Sequence, residues 1–287
     1  MKLYTRFGAL FSATILATFL GACSDDSTSS SSENEIQSSA TDSAGAGNSS
    51  SSIEPTSSAE SSSSMLEGSS SSAGAALSHA SEGVLFSWVG ADDGSRAITG
   101  LDNGTETSGY WYWYNDKADG GNSRIEWPIE VEYEGDMLKP VIEACQGLCG
   151  TFTLDQGSLD YKPFVVLGFN IAGTETFYGG SATPADISAW GGLCIGYSST
   201  TDIELYLSYG DAKDAAMGYD FPSVTMPMST EGSVECYRWK QFSRGWGMDP
   251  HMDQLVKGAA SVKFRIQGKS GTTGEFNIMS VSSYVEQ

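Results

Sequence analysis

Residues 261–267 read Ser-Val-Lys-Phe-Arg-Ile-Gln, so that apolar Val262, Phe264 and Ile266 alternate with polar side chains. The same alternation recurs in residues 203–207, where Ile, Leu and Leu occupy every second position. Successive side chains of a β-strand point to opposite faces of its sheet. The two stretches therefore predict strands that bury one face in a core and turn the other face outward.

Short runs of this kind continue through residues 81–287, separated by Gly, Asp, Ser and Pro at intervals of about ten residues. Long amphipathic helical patterns are missing from this stretch of sequence. The pattern predicts one all-β domain at 81–287, built as two packed antiparallel sheets. The predicted strands are Tyr110–Tyr114, Ile129–Tyr133, Thr151–Leu154, Phe164–Ile171, Leu193–Tyr197, Ile203–Tyr209, Val234–Trp239, Val262–Ile266 and Phe276–Val281.

The N-terminus has the features of an export signal. Lys2 and Arg6 precede an apolar run at residues 7–20, which is too short to span a bilayer. The ending Leu-Gly-Ala-Cys at 20–23 resembles the lipobox of bacterial lipoproteins, which implies cleavage after residue 22 and lipidation of Cys23. The alternative is an ordinary signal peptide followed by a coincidental cysteine. The resemblance implies a lipid anchor in the cell envelope, at the outer membrane.

Residues 23–80 form a serine-rich segment that starts with the expected lipidated cysteine. Its apolar content is too low to offset the entropy of ordering, so we expect a disordered linker. Ser24-Asp25-Asp26 follows the cysteine, and acidic residues at this place resemble surface-export signals, which implies display on the cell surface. The whole chain has 36 acidic and 15 basic residues, and its net charge of −21 makes nucleic acid an unsuitable partner.

Four cysteines remain in the domain, and an exported protein meets oxidising conditions that favour disulfides. Cys145 and Cys149 are close enough in sequence to close one loop. Cys194 and Cys236 fall within predicted strands at positions whose parity turns them away from the core. We therefore expect Cys145–Cys149 and Cys194–Cys236 bridges. Sequence alone allows three pairings of four cysteines, and zinc binding is the rival interpretation.

Aromatic residues mark the candidate binding face. Residues 110–114 read Tyr-Trp-Tyr-Trp-Tyr, which places the tyrosines on one face of a strand and the tryptophans on the other. A sandwich core accommodates one of these rows, so the other lies on an outer face. Flat rings combined with planar hydrogen-bond donors suit the recognition of sugar rings. The alternation along the strands predicts that four ligand-binding residues share the outer face: Tyr112, Tyr206, Arg238 and Arg265. Trp190 and Trp246, in glycine-flanked loops, are predicted to bind ligand at the rim of this face.

Several segments resemble jelly-roll domains with a galactose-binding-like fold, and family 11 carbohydrate-binding modules in particular. They are residues 108–112 (Ser-Gly-Tyr-Trp-Tyr), 186–195, 239–247 and 261–266. The resemblance implies a jelly-roll sandwich and a structural calcium ion. Asp102, before the first aromatic strand, and Asn277, in the last strand, are the ligands by position, although Asn277 brings an uncharged carbonyl oxygen where such domains often have an acidic residue.

The sequence contains neither a His-Glu-x-x-His motif nor a Gly-x-Ser-x-Gly motif, and we assign no catalytic residue. The interpretation we adopt is a non-catalytic, lipid-anchored protein that binds plant polysaccharide and requires no cofactor. Two alternatives remain open: an assembly lipoprotein that docks another envelope protein, and a glycoside hydrolase that uses a pair of carboxylates. An exposed aromatic strip would favour glycan binding, whereas an enclosed acid pair would favour the enzyme.

We predict that cells expressing the chain incorporate radiolabelled fatty acid into it through Cys23. Substitution Cys23→Ala removes the only thiol that the lipobox-like sequence offers to the lipid, so labelling should be abolished. Gel autoradiography after metabolic labelling makes the measurement. Labelling that persists in the substituted chain would disprove the anchor.

Overall fold

The computed structural model describes residues 83–131, 136–245 and 251–284. The signal peptide, Cys23 and the serine-rich linker lie outside the described residues. The helices in the described part are short: α1 (Gly90–Asp93), α2 (Lys139–Cys145), α3 (Asp211–Ala216) and α4 (Met252–Leu255). The strands are β1 (Ser87–Val89), β2 (Trp111–Asn115), β3 (Arg124–Glu126), β4 (Leu148–Thr153), β5 (Phe164–Asn170), β6 (Thr174–Thr176), β7 (Gly179–Ala182), β8 (Gly192–Ser199), β9 (Ile203–Ser208), β10 (Ser223–Met226), β11 (Ser229–Arg238), β12 (Ser261–Gln267) and β13 (Thr273–Ser283).

The strands form two antiparallel sheets and a separate hairpin. The five-stranded sheet has the order β10-β9-β12-β5-β2. The six-stranded sheet has the order β11-β8-β13-β4-β3, and β1 also pairs with β13. Strands β6 and β7 pair only with each other among the described strands. The predicted fold class, two packed antiparallel sheets, is confirmed.

The core lies between the two sheets and is rich in aromatic side chains. Trp111 turns inward from β2 and its ring centroid lies 5.0 Å from that of Phe169 and 5.9 Å from that of Phe264. The Trp88 ring reaches the same cluster at 4.8 Å from Trp111. Every second residue of β12 is buried, as its alternation predicts. Rings packed at these separations stabilise the core beyond the area that they bury.

Eight of the predicted strands overlap observed ones, and one prediction is wrong. Residues 129–131 of the predicted strand Ile129–Tyr133 are not in a strand, and 132–133 lie outside the described residues. The edge position beside β4 is taken instead by β3, and Pro128 comes two residues after its end. Proline has no N–H for a ladder, which explains why pairing ends there. Strands β1, β3, β6, β7 and β10 were not predicted because three or four residues are too few to show a period of two.

Both expected disulfides are present. Cys194 and Cys236 are directly opposite in the β8–β11 ladder, with their Cα atoms 4.0 Å apart. Cys145, at the end of α2, is bonded to Cys149 in β4. The Cys194–Cys236 bridge therefore ties two paired strands of the six-stranded sheet, and the Cys145–Cys149 bridge ties α2 to that sheet. Within the described part of the chain, no helix is long and apolar enough to cross a membrane.

We predict that the two disulfides stabilise the domain unequally. The Cys194–Cys236 bridge spans 42 residues and the Cys145–Cys149 bridge spans 4. Chain-entropy arithmetic gives losses of about 4 kcal/mol and about 2 kcal/mol in the free energy of unfolding when each pair is replaced by alanine. Guanidinium unfolding of the two double variants measures both losses. Equal losses, or a larger loss for the short loop, would contradict the loop-length argument.

Candidate functional site

The outer face of the five-stranded sheet carries three of the six predicted binding residues, Tyr112, Tyr206 and Arg265, in cross-strand rows. Tyr112 of β2 is opposite Gly168 of β5, Gly168 is opposite Lys263 of β12, and Lys263 is opposite Tyr206 of β9. Two residues further along β12, Arg265 is opposite Val166 of β5 and Glu204 of β9. Aromatic and cationic side chains from neighbouring strands therefore lie side by side on one face.

These side chains form a connected surface, the tyrosine platform, consisting of Tyr112, Tyr114, Tyr206, Lys263 and Arg265. The Tyr112 and Tyr114 rings are nearly parallel, with centroids 6.5 Å apart. The Tyr114 and Tyr206 hydroxyl oxygens are 3.0 Å apart, which is a hydrogen bond. The Lys263 Nζ lies 5.5 Å from the centroid of the Tyr114 ring, and the Arg265 guanidinium lies 5.3 Å from that of Tyr206. The platform is thus held together by its own contacts before any ligand binds.

Gly168 lets the platform lie close to the sheet. A Cβ atom added at Gly168 would lie 2.7 Å from the Val262 carbonyl oxygen, 3.1 Å from the Lys263 Cγ and 3.3 Å from the Tyr112 hydroxyl oxygen. Any side chain at this central position would therefore push against the strand beside it and against the platform. The absence of one allows Tyr112 to extend across β5.

Arg265 is fixed by a charged partner on the neighbouring strand. Its Nε donates to the Glu204 Oε2 at 2.7 Å, and its terminal nitrogen lies 2.5 Å from the same oxygen. Both side chains keep about a quarter of their surface exposed, at 24% and 27%. The Arg265 guanidinium is therefore a planar group at the surface whose charge is balanced by Glu204.

A cavity of about 280 Å³ opens beside the platform. Tyr112 and Lys263 form one side, and Asn170, Ser208 and Ser261 contribute polar groups from the strand ends. Strand β7 and the start of α3 form the remaining walls. The Ser261 hydroxyl donates to the Asn170 Oδ1 at 2.8 Å, so these two groups are pre-positioned. The cavity therefore offers donors and acceptors next to an aromatic surface.

Burial shifts the pKa values of several groups in and around the platform. Burial raises the pKa of Tyr112 and of Tyr206, so both phenols stay protonated near neutral pH. Burial alone would lower the pKa of Lys263, but its contacts with Tyr112, Tyr114 and Asp214 together hold that pKa above its usual value, and Lys263 stays charged. Burial also raises the pKa of Asp214, which lines the cavity. Its Oδ1 accepts the backbone N–H of Tyr209 at 2.7 Å.

The structure brings three of the predicted binding residues together and places the others elsewhere. Tyr112, Tyr206 and Arg265 share the platform, although Tyr206 is only 1% exposed because the Phe221 ring stacks on it at 4.8 Å. We expected an exposed Tyr206, so this expectation is corrected: its ring supports the platform from below, and its hydroxyl faces Tyr114.

Arg238 and Trp190 do not belong to this face. Arg238 ends β11 in the six-stranded sheet, and its Nε and terminal nitrogen donate to the Tyr284 hydroxyl at 2.9 and 2.6 Å. Trp190 is 4% exposed and stacks on Phe86 at 4.8 Å, so it is a core residue. Trp246, the other predicted rim residue, lies outside the described residues.

Tyr114, Asn170, Ser261 and Asp214 are site residues that were not predicted individually. Tyr114 has the same parity as Tyr112, and that signal could have identified it. Asp214 comes from the six-residue helix α3, and nothing in the local sequence indicates that this helix packs beside the platform. Its position depends on the path of the chain after β9.

The contacts of Asp102 fit a loop-stabilising role better than the expected calcium site. The Ser108 hydroxyl donates to it at 2.6 Å, and this bond with backbone donors of the same loop lowers the pKa of Asp102 to about 2. Arg96 lies 3.3 Å away, and a guanidinium repels a cation. Asn277 lies in β13, where its Nδ2 contacts the Cys145 carbonyl at 3.4 Å. The described residues contain no group of three His, Cys, Asp or Glu side chains that could hold a metal ion.

Comparisons with known proteins give distant similarities. No protein-family model matches the sequence. The chain is 27% identical over 168 residues to Endoglucanase 3 of Fibrobacter succinogenes, an alignment that covers 58% of this chain and 23% of the enzyme. The chain therefore aligns with less than a quarter of that relative's length.

Two solved structures illustrate the structural similarity. The family 11 carbohydrate-binding module of Clostridium thermocellum, solved with a β-1,3-1,4-mixed-linked tetrasaccharide, has a TM-score of 0.37 and 10% identity, and the alignment covers 62% of this chain and 91% of the module. The structure of PfGH50B has a TM-score of 0.30 and 14% identity, and the alignment covers 60% of this chain and 24% of PfGH50B. The fold assignment for this chain rests on its own strand pairing.

We predict that Gly168→Ala destabilises the domain by about 1–3 kcal/mol, because the added methyl group overpacks the sheet beneath the platform. Gly258→Ala is the matched control, since a Cβ there would meet only the Lys213 Nζ, at 3.7 Å. The control should stay within about 0.5 kcal/mol of the parent chain. Guanidinium unfolding makes the comparison, and equal stability of the two variants would rule out the proposed role of Gly168.

Proposed function

We propose that this chain binds a neutral polysaccharide of plant type on the tyrosine platform, without catalysing its cleavage. The observation that carries the proposal is the platform itself: aromatic rings fixed on an outer sheet face beside a polar cavity. Tyr114 keeps 38% of its surface exposed although it is hydrogen-bonded to its neighbour. The exposed part of the Tyr114 ring contributes nothing to the core of the domain.

The chemistry of the platform matches that of a sugar chain. The C–H faces of a pyranose ring pack on aromatic rings, while its hydroxyls need donors and acceptors at the ring's edge. The platform provides the rings, and the cavity provides the amide of Asn170, the hydroxyl of Ser261 and the ammonium of Lys263. Because Arg265 is paired with Glu204, its charge is balanced before a ligand binds.

Glucan is the ligand class that we propose first. The similarity over 168 residues to a protein named an endoglucanase supports this choice. The aligned part is 23% of that enzyme, a share suited to an accessory region that holds the substrate of a separate catalytic domain.

A binding role accounts for Asp214 better than a catalytic role does. A raised pKa is the property of a general acid, and burial raises the pKa of Asp214. Its carboxylate, however, accepts the Tyr209 N–H and so stabilises the turn into α3. Glycoside hydrolysis needs a second carboxyl group across the scissile bond. Asp211, the other carboxylate of the cavity, is an exposed residue three positions away on the same short helix.

The proposed location follows from the N-terminus. A signal peptide at 1–22, lipidation of Cys23 and a long serine-rich linker would tether the binding domain to the outer membrane and display it on the cell surface. Multiple acyl chains at one residue give durable anchoring, since each buried methylene contributes about 0.8 kcal/mol. Binding at the cell surface would hold polysaccharide close to the cell.

We predict that Tyr112→Ala and Tyr114→Ala each weaken binding to soluble β-glucan by about 0.5–1.5 kcal/mol beyond the lost contact area, because each removes a stacking ring. The matched control is Tyr178→Ala, since Tyr178 is 96% exposed and outside the platform. Affinity gel electrophoresis of the full chain carrying Cys23→Ala measures retention by the polysaccharide. Retention should change little with salt, since stacking and neutral hydrogen bonds are not screened as ion pairs are.

Retention that is equal for the parent chain and both platform variants would refute glycan binding at this face. Such a result would favour the docking of another envelope protein. Circular dichroism separates lost binding from lost folding, and Trp239→Ala provides the reference for unfolding because Trp239 is 8% exposed and belongs to the core.

A further inference from the structure

A second groove, of about 550 Å³, lies on the outer face of the six-stranded sheet. Strands β3, β4, β13 and β8 form its floor, and Trp127 and Thr200 contribute to its walls. Because the two sheets pack face to face, this groove and the tyrosine platform are on opposite sides of the sandwich. Its volume is within the range of small-molecule sites.

Polar residues cross the floor in register. Glu126 of β3 is opposite Thr151 of β4, which is opposite Glu275 of β13. Neighbouring strands are about 5 Å apart, so the two glutamates flank Thr151 at about 10 Å from each other. In the next row, Asn277 is opposite Ser198. The groove thus presents carboxylates, hydroxyls and an amide at regular intervals.

Trp127 supplies an aromatic surface at the edge of this polar floor. Its ring meets Trp113 at 5.3 Å and Phe276 at 6.3 Å, and both contacts are edge-to-face. These two rings hold the indole in one orientation while part of it stays exposed along the groove. An indole fixed in this way presents a stacking surface at little entropic cost on binding.

The floor is also pre-formed. The Glu275 N–H donates to the Thr200 Oγ1 at 2.9 Å, and the Thr200 N–H donates to the Glu275 carbonyl at 3.0 Å. Cys149, which lines the groove, is bridged to Cys145. The backbone beneath the groove is therefore braced at both of these positions.

We propose that this groove is a second glycan-binding site, so that one chain holds two polysaccharide strands on opposite faces. Among the described residues, the groove is lined by two glutamates and by no lysine or arginine, which disfavours anionic ligands. Carboxylates and hydroxyls accept and donate the hydrogen bonds of sugar hydroxyls, and Trp127 stacks on a ring. The choice of a neutral glucan as ligand rests on the proposed function, whereas the location of the site does not.

Calorimetric titration tests the proposal with cellohexaose as the probe and the full chain carrying Cys23→Ala as the protein. The expected stoichiometry is two cellohexaose molecules per chain. Thr151→Arg fills the floor of the groove and should reduce the stoichiometry to one. Leu85→Arg is the matched control, because Leu85 is 58% exposed and its N–H binds Ser283, at the far end of β13. Tyr112→Ala should weaken only the platform site.

The outcomes separate the two sites. If Thr151→Arg still binds two molecules, the groove is not a binding site and the platform proposal stands. The same conclusion follows if the parent chain binds one molecule and only Tyr112→Ala weakens that binding. One bound molecule that only Thr151→Arg removes supports the groove and refutes the platform. No binding to the parent chain refutes both. Trp127→Phe keeps an aromatic ring in contact with the core, so the variant should fold. It should weaken binding at the groove and leave binding at the platform unchanged.

Discussion

The antiparallel pairing of β12 with both β5 and β9 determines which side chains reach each face of the five-stranded sheet. Inward Phe264 is fully buried in the core, and outward Lys263 and Arg265 are set into the tyrosine platform. A slip of one residue would exchange the two sets, burying two cations and exposing the core. The hydrophobic effect therefore fixes the register of the site as well as that of the core.

The tyrosine platform keeps aromatic rings on an outer sheet face while the polar groups that hold those rings are paired. Tyr206 is buried beneath Phe221, yet its hydroxyl is paired with that of Tyr114. Arg265 is paired with Glu204, and Lys263 faces aromatic rings. Buried polar groups without partners are costly, so this network stabilises the positions of the outer rings. Because its members are mutually satisfied, they lose little freedom when a ligand arrives.

Sequence reasoning identified the features that depend on local periodicity and missed those that depend on long-range topology. Parity along each strand was enough to turn Tyr112, Tyr206 and Arg265 to the outer side. Parity also predicted correctly that Arg238 points away from the core, unlike its neighbours in sequence. Parity does not, however, indicate which sheet a strand joins. That choice depends on the pairing of β11 with β8, which is reinforced by the Cys194–Cys236 bridge. Trp190 in its glycine-flanked turn was placed at a rim because short loops carry no period from which burial could be deduced.

The pairing of charges within the platform also bears on how strongly it can bind. A face whose arginine is already paired and whose lysine packs on aromatic rings would offer a ligand mainly stacking and hydrogen bonds, and each such contact contributes on the order of 1 kcal/mol. A single face of this kind gives modest affinity for one short segment of a chain. Where two strands belong to one polysaccharide network, however, the second strand would be bound at high effective concentration once the first is held. Two rigid faces on one sandwich would therefore reach useful retention through multiplicity, with neither face needing to bind tightly.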